Sequence, residues 1–407
     1  MAQAGSMSVT ARDDGQDAQL ASRLRYLRTV RGWSQRQLAA RADLNPSTVS
    51  RIENGVRGIT SITTLSRLAL ALGCATQDLI ADDDGPHGAV EVGSGHTPST
   101  PLLRSLIGTT LQHPPTAPVD PLSFALCQVD LVRERRRQCD FRAVTRLAPR
   151  ALTSLHAYIH GPQRAMVAGP LVRLCYDGSA VLGYAGEVST AWIMAHRCRE
   201  AAEYTGDRAY RALGQLALTV VAVRQRADDR AVELAEDELR GPELPAAVAG
   251  LLHLHAAVAG GRAGVLSDRQ IEAHLGGATR AAQAAPGTPT EPVIEAELVP
   301  QARFSLAVHR GDLRAAEHRL HDLGGRLCTE PEYLAAFLVD LALFHLLRGE
   351  HERSLDTLVR CEQVAAQYAH RSAEAANILA QLAVQTRTDA GRRRVAGIWH
   401  RYRHAEG

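Results

Sequence analysis

The side chains that could carry chemistry are histidines, cysteines and arginines, and their spacing decides which chemistry is open. His253 and His255 stand two apart, so a helix turns them to different faces. His318 and His321 stand three apart and can share a face. No acidic or Cys partner completes either pair at a metal-ligand spacing, and HExxH is absent. Solvated or core-edge histidines are expected, and no metal site. The 7 Cys include no CxxC pair and read as small buried fillers. Cys198, Cys328 and Cys361 would form a redox sensor only if exposed and low in pKa. There is no GxxxxGK[ST], GxGxxG or GxSxG segment. The expectation is therefore no enzyme activity and no cofactor. What remains is arginine. The chain contains no Lys, and the segment Leu20 to Gly73 carries a clear excess of Arg. Two further basic runs, Arg133 to Arg137 with only Glu134 interposed and Arg392 to Arg394, read as solvated helix faces.

These residues need elements to hold them. At 407 residues the chain is too long for one ordinary core, so at least two domains are expected. Hydrophobic residues make up 45% and aromatics only 4%, which suits close-packed helices of Ala, Leu and Val better than strands. An all-α protein is expected. Net charge is +2, so the chain as a whole is no polycation. An odd number of scattered Cys fits a reducing compartment. No apolar leader and no membrane-length apolar run is read, so the cytoplasm is expected, with no membrane partner.

Composition divides the chain. Residues 1–17 are small and polar, a flexible arm. Residues 18–81 are dense in helix signals. Residues 82–119 begin with Asp82, Asp83 and Asp84 and turn rich in Gly, Pro, Ser and Thr, which reads as a linker. An apolar island from Leu102 to Leu111 interrupts it and suits a small helix docked on either neighbour. Residues 120–405 return to apolar positions at three- and four-residue spacing. Breaks are expected at Gly161-Pro162, Gly169-Pro170, Gly241-Pro242, Gly260-Gly261 and from Ala285 to Pro292.

Within the first domain, Leu24, Leu27 and Val30 share one face of a first helix that Gly32 ends. Ser34 caps a second, Gln35 to Ala42, with Leu38 and Ala39 inward. A turn at Asp43-Leu44 leads to Asn45, which caps a third helix with Pro46 at its first position. Val49 and Ile52 face inward, and Asn54-Gly55 stops it. A fourth helix, about Ser61 to Leu72, buries Leu65, Leu68 and Leu72. A fifth, Thr76 to Ile80, closes the bundle.

This segment resembles the phage-repressor (XRE/Cro) helix-turn-helix family. The likeness rests on Ser34-Gln35-x-x-Leu38-Ala39, on Ser47 through Gly55, and on Leu65-x-x-Leu68-Ala69-x-x-Leu72-Gly73. It implies a five-helix, lambda-repressor-like DNA-binding domain. Asp43 stands where the family usually has a left-handed Gly, and Asp tolerates that conformation with small strain. The resemblance places the third helix in the major groove. By position, Ser47, Ser50 and Arg51 then read bases. Arg51 paired bidentately with guanine contributes roughly 1–3 kcal/mol of discrimination. Gln35 and Thr48 hold phosphates, and Asn54 and Arg57 add backbone contacts. One recognition helix reads too few bases alone, so the implied partner is a double-stranded inverted-repeat operator bound by a homodimer.

The second half is similar in architecture to bacterial regulators, common in actinobacteria, that join such a domain to a tetratricopeptide-like one. An Arg-only basic set also fits a GC-rich genome. Three turns look alike: Thr205-Gly206-Asp207, Arg310-Gly311-Asp312 and Arg348-Gly349-Glu350. In each, Gly suits a left-handed helix end and the acid starts the next helix. The last two lie about 38 residues apart, close to a helical-hairpin repeat, though the repeats are degenerate. Trp192 is a candidate anchor for one hairpin. Stacked pairs should leave an inner groove. Relatives that sense peptides use inner Asn side chains, but this chain has only Asn45, Asn54 and Asn377. A peptide effector, a small-molecule effector, a protein partner and no effector all stay open. The reading is a transcription regulator. The alternative is a scaffold or antitoxin-like protein whose repeat groove holds another protein.

Overall fold

In the computed structural model, residues 20–21, 24–25, 28–29, 33–42, 44–55, 62–72, 100–115, 120–241, 244–284, 292, 294–386 and 388–404 are described. Among them every regular element is a helix, so the chain is all-α as its composition implied. It divides into two compact units, Met1–Gly95 and His96–Gly407.

In the first unit, residues 20–21, 24–25 and 28–29 are helical. They precede α1 (Gln35–Arg41), α2 (Pro46–Glu53) and α3 (Ile62–Leu72). Leu24, Leu38, Ala39, Val49, Ile52, Leu68 and Leu72 meet in one core, as their spacing predicts. Trp33 and Leu44 pack against its edge. Gly55, at φ +66°, follows α2. The arm, the expected fifth helix, Leu27, Val30, Gly32, Asp43, Arg57 and the stretch 82–99 lie outside the described residues, as does the Leu65 side chain.

The second unit starts inside the stretch read as linker. There α4 (Thr100–Gly108) buries Leu102 and Leu106 in the core of this unit, which decides where the apolar island docks. Fifteen helices follow. They are α5 (Leu122–Arg137), α6 (Phe141–Tyr158), α7 (Arg164–Tyr184), α8 (Val188–Thr205) and α9 (Arg208–Arg224). Next come α10 (Asp228–Leu239), α11 (Ala246–Ala263), α12 (Asp268–Gln283), α13 (Leu298–His309) and α14 (Leu313–Leu323). The last are α15 (Pro331–Leu347), α16 (His351–Val364), α17 (Ala366–Arg371), α18 (Ala373–Gln385) and α19 (Asp389–His404). Neighbours in sequence pack in pairs, and each odd-numbered helix from α5 to α15 also packs on the next odd one. That second set of contacts marks a helical-repeat stack with one continuous inner rank. The stride is uneven, with pairs opening at Arg164, Arg208, Ala246, Leu298 and Pro331.

The three look-alike turns form as expected, with Gly206, Gly311 and Gly349 at φ of 72°, 73° and 75°. Asp207 accepts the Ala209 N–H at 2.8 Å and Asp312 the Ala315 N–H at 3.0 Å. Glu350 does not cap with its side chain. Its carboxylate instead accepts from His345 at 2.8 Å and from Arg348 at 3.0 Å.

Two expected breaks are absent. Gly169-Pro170 lies within α7 and Gly260-Gly261 within α11. These glycines make room for neighbours. A Cβ at Gly169 would overlap the Tyr210 ring, and one at Gly261 would stand 2.6 Å from Leu306 Cδ2. Tight packing, and not chain reversal, requires them there.

Side chains of the first helices of the stack meet those of its later helices. Arg136 near the end of α5 pairs with Glu332 of α15 at 3.0 Å and with Asp177 of α7 at 3.0 Å. Tyr184 of α7 donates to Glu332 and stacks on Phe141, with ring centroids 5.5 Å apart. Arg224 of α9 lies 3.9 Å over the Tyr184 ring and donates to Tyr368 of α17 at 3.4 Å. Gln367 donates to Asp140 at 3.1 Å and accepts the Arg142 N–H at 2.9 Å. Within the Arg133 to Arg137 run, Arg136 is thus largely buried and, with Arg137, ties α5 to α15, while Arg135 and Arg137 keep nearly half of their side chains in solvent, as a solvated face would. In the other basic run, Arg394 pairs with Glu352 at 3.0 Å and with Asp356.

The redox reading of the cysteines fails. Cys198, Cys328 and Cys361 are buried. Burial holds all three thiols well above the ordinary range, Cys361 at about 12. Cys198 donates to Val172 O at 3.3 Å. Among the described residues no group of three metal-ligating side chains forms. No helix there is long and apolar enough to cross a membrane.

Candidate nucleic-acid interface

The candidate interface is built on α1 and α2, and local chemistry fixes where each begins. Ser34 Oγ accepts the Gln37 N–H at 3.2 Å while Gln37 Oε1 accepts the Ser34 N–H at 2.8 Å. This reciprocal capping box satisfies two donors that the helix start leaves over. Asn45 caps α2, and its Oδ1 accepts both the Ser47 N–H at 3.0 Å and the Ser47 hydroxyl at 2.9 Å. Pro46 takes the first helical position, where a missing N–H costs nothing. Caps of this kind contribute about 1 kcal/mol each.

The periodicity of α2 then sorts its side chains. Val49 and Ile52 go inward, and Glu53 goes with them. Ser47, Arg51 and Asn54 are exposed, and Thr48 and Ser50 are half-exposed. All five polar residues read from the sequence therefore stand on the accessible side of one helix. Arg51 is exposed and makes no hydrogen bond or ion pair among the described residues, which leaves its five N–H donors open to an incoming group. A guanidinium in that state is ready to meet paired acceptors on a base edge.

The other residues are partly engaged. The Ser47 hydroxyl donates to Asn45, so it meets an incoming group as an acceptor. Ser50 accepts from Asn54 Nδ2 at 3.4 Å, and Asn54 Oδ1 accepts from Arg25 at 3.0 Å. Gln35 is half-exposed and donates through Nε2 to Glu53 at 2.8 Å, which leaves its second amide proton for a phosphate.

The residue that organises the site lies within the Ser47 to Gly55 motif, which assigns it no role. Glu53 has a side chain with no exposed surface. Its carboxylate accepts from Arg28 Nε at 2.6 Å, Arg28 Nη2 at 3.0 Å and Gln35 Nε2. The two Arg28 bonds form a bidentate fork, the strongest carboxylate geometry available. Hydrogen bonding to Glu53 raises the Arg28 pKa further, so the guanidinium stays charged. Arg28 also donates to Trp33 O at 2.7 Å, and Arg25 donates to Glu53 O at 2.6 Å. The Arg41 guanidinium covers Trp33 at 4.4 Å. One buried carboxylate thereby ties the first helical segment, α1 and the end of α2 into a rigid support for Arg51.

A helix-turn-helix family model matches residues 24–79, the span that holds this geometry. The first unit carries a helix-turn-helix domain. No curated protein sequence matches the chain. Among solved structures, Bacillus thuringiensis PlcR in complex with the peptide PapR7 and DNA is similar. The likeness covers 65% of this chain and 95% of that one, at 12% identity and a TM-score of 0.25.

Proposed function

We propose that this protein is a sequence-specific DNA-binding transcription regulator, with Arg51 as its main base-reading side chain. The observation that carries the reading is the exposed Arg51, which has no hydrogen bond or ion pair among the described residues, on a helix whose inner face is locked by Glu53. On this reading Ser47 and Ser50 flank Arg51 at the base edges, and Gln35, Thr48 and Asn54 meet phosphates. Arg57 is assigned to the phosphates by its place in the motif alone. The protein acts as a homodimer on an inverted repeat, and the second unit sets the spacing of the two recognition helices. An effector changes operator affinity only by favouring one dimer geometry over another.

The test is a selection from genomic fragments with the wild type beside Arg51→Ala. The wild type should enrich one palindromic motif. The variant should lose about 1–3 kcal/mol of discrimination at one guanine position and keep its other preferences. Affinity should fall steeply with salt, as counterions leave the contacted phosphates. Enrichment of no motif at moderate salt by the wild type would count against the reading. Copurification of one protein with the second unit would then favour a scaffold.

A further inference from the structure

Ser47, Ser50, Arg51 and Asn54 stand at i, i+3, i+4 and i+7, on one face of α2 and its C-cap. A serine hydroxyl on such a face is ambiguous by itself, since it can donate or accept and so can meet any base. Here both hydroxyls have their sense fixed by an asparagine. Asn45 Oδ1 accepts the Ser47 N–H at 3.0 Å, so the oxygen of that amide, and not its nitrogen, faces Ser47. An amide oxygen only accepts, so the Ser47 hydroxyl, 2.9 Å away, directs its proton there. Only its lone pairs are left for an incoming group. Asn54 is oriented from the opposite side. Arg25 Nη2, which only donates, lies 3.0 Å from Asn54 Oδ1, and this turns the Asn54 nitrogen toward Ser50. Nδ2 donates to Ser50 Oγ at 3.4 Å, so the Ser50 proton is left for an incoming group. Arg25 is itself held by its bond to Glu53 O at 2.6 Å. The second Nδ2 proton of Asn54 stays open to a phosphate.

We infer that Asn45 and Asn54 are positioning residues that give Ser47 and Ser50 opposite hydrogen-bond senses, so that Ser47 selects a base with an exocyclic amine in the major groove and Ser50 a base with a carbonyl there. The amines are adenine N6 and cytosine N4, and the carbonyls are guanine O6 and thymine O4. Guanine or thymine facing Ser47 would set acceptor against lone pair. Cytosine facing Ser50 would set donor against donor, and adenine there is rejected less strongly, because its N7 still accepts. Arg51 beside them takes guanine. Each half-site then holds an amino column, a guanine column and a keto column. This rests on the regulator reading and deepens it, from a protein that reads DNA to the classes of base that it reads.

The experiment is selection of bound sequences from random DNA duplexes by the full chain, for the wild type and for Ser47→Ala, Ser50→Ala and Asn54→Asp. Each alanine should flatten one motif column and leave the others, a change of about fivefold in base preference, the weight of one net hydrogen bond. Asn54→Asp brings a carboxylate that only accepts and still faces Arg25. The Ser50 proton then turns to it, and the Ser50 column should invert, with amino bases displacing keto ones. The contacted strand is found with duplexes of the selected motif that lack one exocyclic amine at the Ser47 column, purine replacing adenine or 2-pyrimidinone replacing cytosine. Removal from one strand should weaken the wild type about fivefold and Ser47→Ala not at all. A selected motif whose columns neither alanine moves, or amine removal without effect on either strand, overturns the inference and leaves the regulator reading standing. Flattening without inversion in Asn54→Asp overturns the role given to Asn54. Should Asn54→Asp select nothing, Asn54→Ala decides, since it frees the Ser50 hydroxyl to act either way: a flattened Ser50 column supports the inference and an unchanged one overturns it. A wild type that selects no motif sinks the regulator reading and the inference with it.

Discussion

Arg51 and Glu53 sit two positions apart on one helix and do opposite work. Arg51 is exposed without a partner among the described residues, and Glu53 is buried with three donors on its carboxylate. Arg51→Ala should therefore alter DNA discrimination and leave stability within about 0.5 kcal/mol, as an exposed side chain without contacts permits. Glu53→Gln should do the reverse first. It strands the Arg28 guanidinium, whose side chain is only 15% exposed, without its counter-charge. Breaking a buried pair from one side costs about 3–5 kcal/mol. Hydrogen exchange should show the loss confined to residues 24–72, and unchanged protection of Leu38 and Ile52 would refute the assignment. Arg51 was legible because cap, proline and core positions fall in register around it. Glu53 was only half legible. Its spacing from Val49 and Ile52 marks an inward position, but its type reads as surface. Arg28 lies 25 residues away and Gln35 18, beyond any helix-period pattern.

Glycines show how elements were read well in one context and badly in another. At Gly311 the backbone is left-handed and a Cβ would meet nothing within 4 Å. Gly311→Ala should cost roughly 1–2 kcal/mol from conformation alone, and Gly311→Asn should recover part of that. Gly214 is the opposite case. It lies within α9, and a Cβ there would stand 2.8 Å from the Arg199 Cα of α8. Backbone cannot yield as a flexible side chain does, so Gly214→Ala must push two helices apart, at about 1–3 kcal/mol. Gly214→Ser should be no better than Ala. Urea unfolding of the four variants checks both, and rescue at Gly214 by Ser would show that spacing is not the cause. The acidic neighbours of Gly206, Gly311 and Gly349 made those turns readable. Gly169-Pro170 and Gly260-Gly261 carry the same residue types, yet serve packing, Gly169 and Gly261 against later helices and Gly260 against Leu266 in the following turn. Local sequence does not separate the two uses.

At the scale of the whole second unit, composition and spacing foretold paired helices but not the return of the stack onto itself. That closure rests on pairs such as Arg136–Glu332 and Gln367–Asp140, each spanning nearly 200 residues or more. The second unit also buries titratable groups, and acid should act on them. Burial, with Arg224 and Arg262 nearby, pushes His255 down to about 3. Burial, then His274 and Arg280, push His253 down to about 4, and its Nδ1 lies 3.0 Å from that of His274. Burial also lowers His156. An unfolded histidine titrates near 6.5. Between that value and about 3 to 4, the unfolded chain holds protons that the native one refuses. The linkage then has one sign: this stability is fully present above about pH 6.5 and is lost as pH falls through the window. The loss bears on the closure, because Arg224, which joins Tyr184 to Tyr368, is a charge that a protonated His255 would face. Melting of the full chain should be flat from pH 8 to 7 and fall from 6.5 to 5, a range above most carboxylate titration. His255→Gln should flatten that slope whatever it does to stability at pH 8. A wild-type melting temperature that rises between pH 6.5 and 5, or a His255→Gln slope equal to the wild type's, would show that these histidines are charged in the native state and that the closure does not exclude their protons.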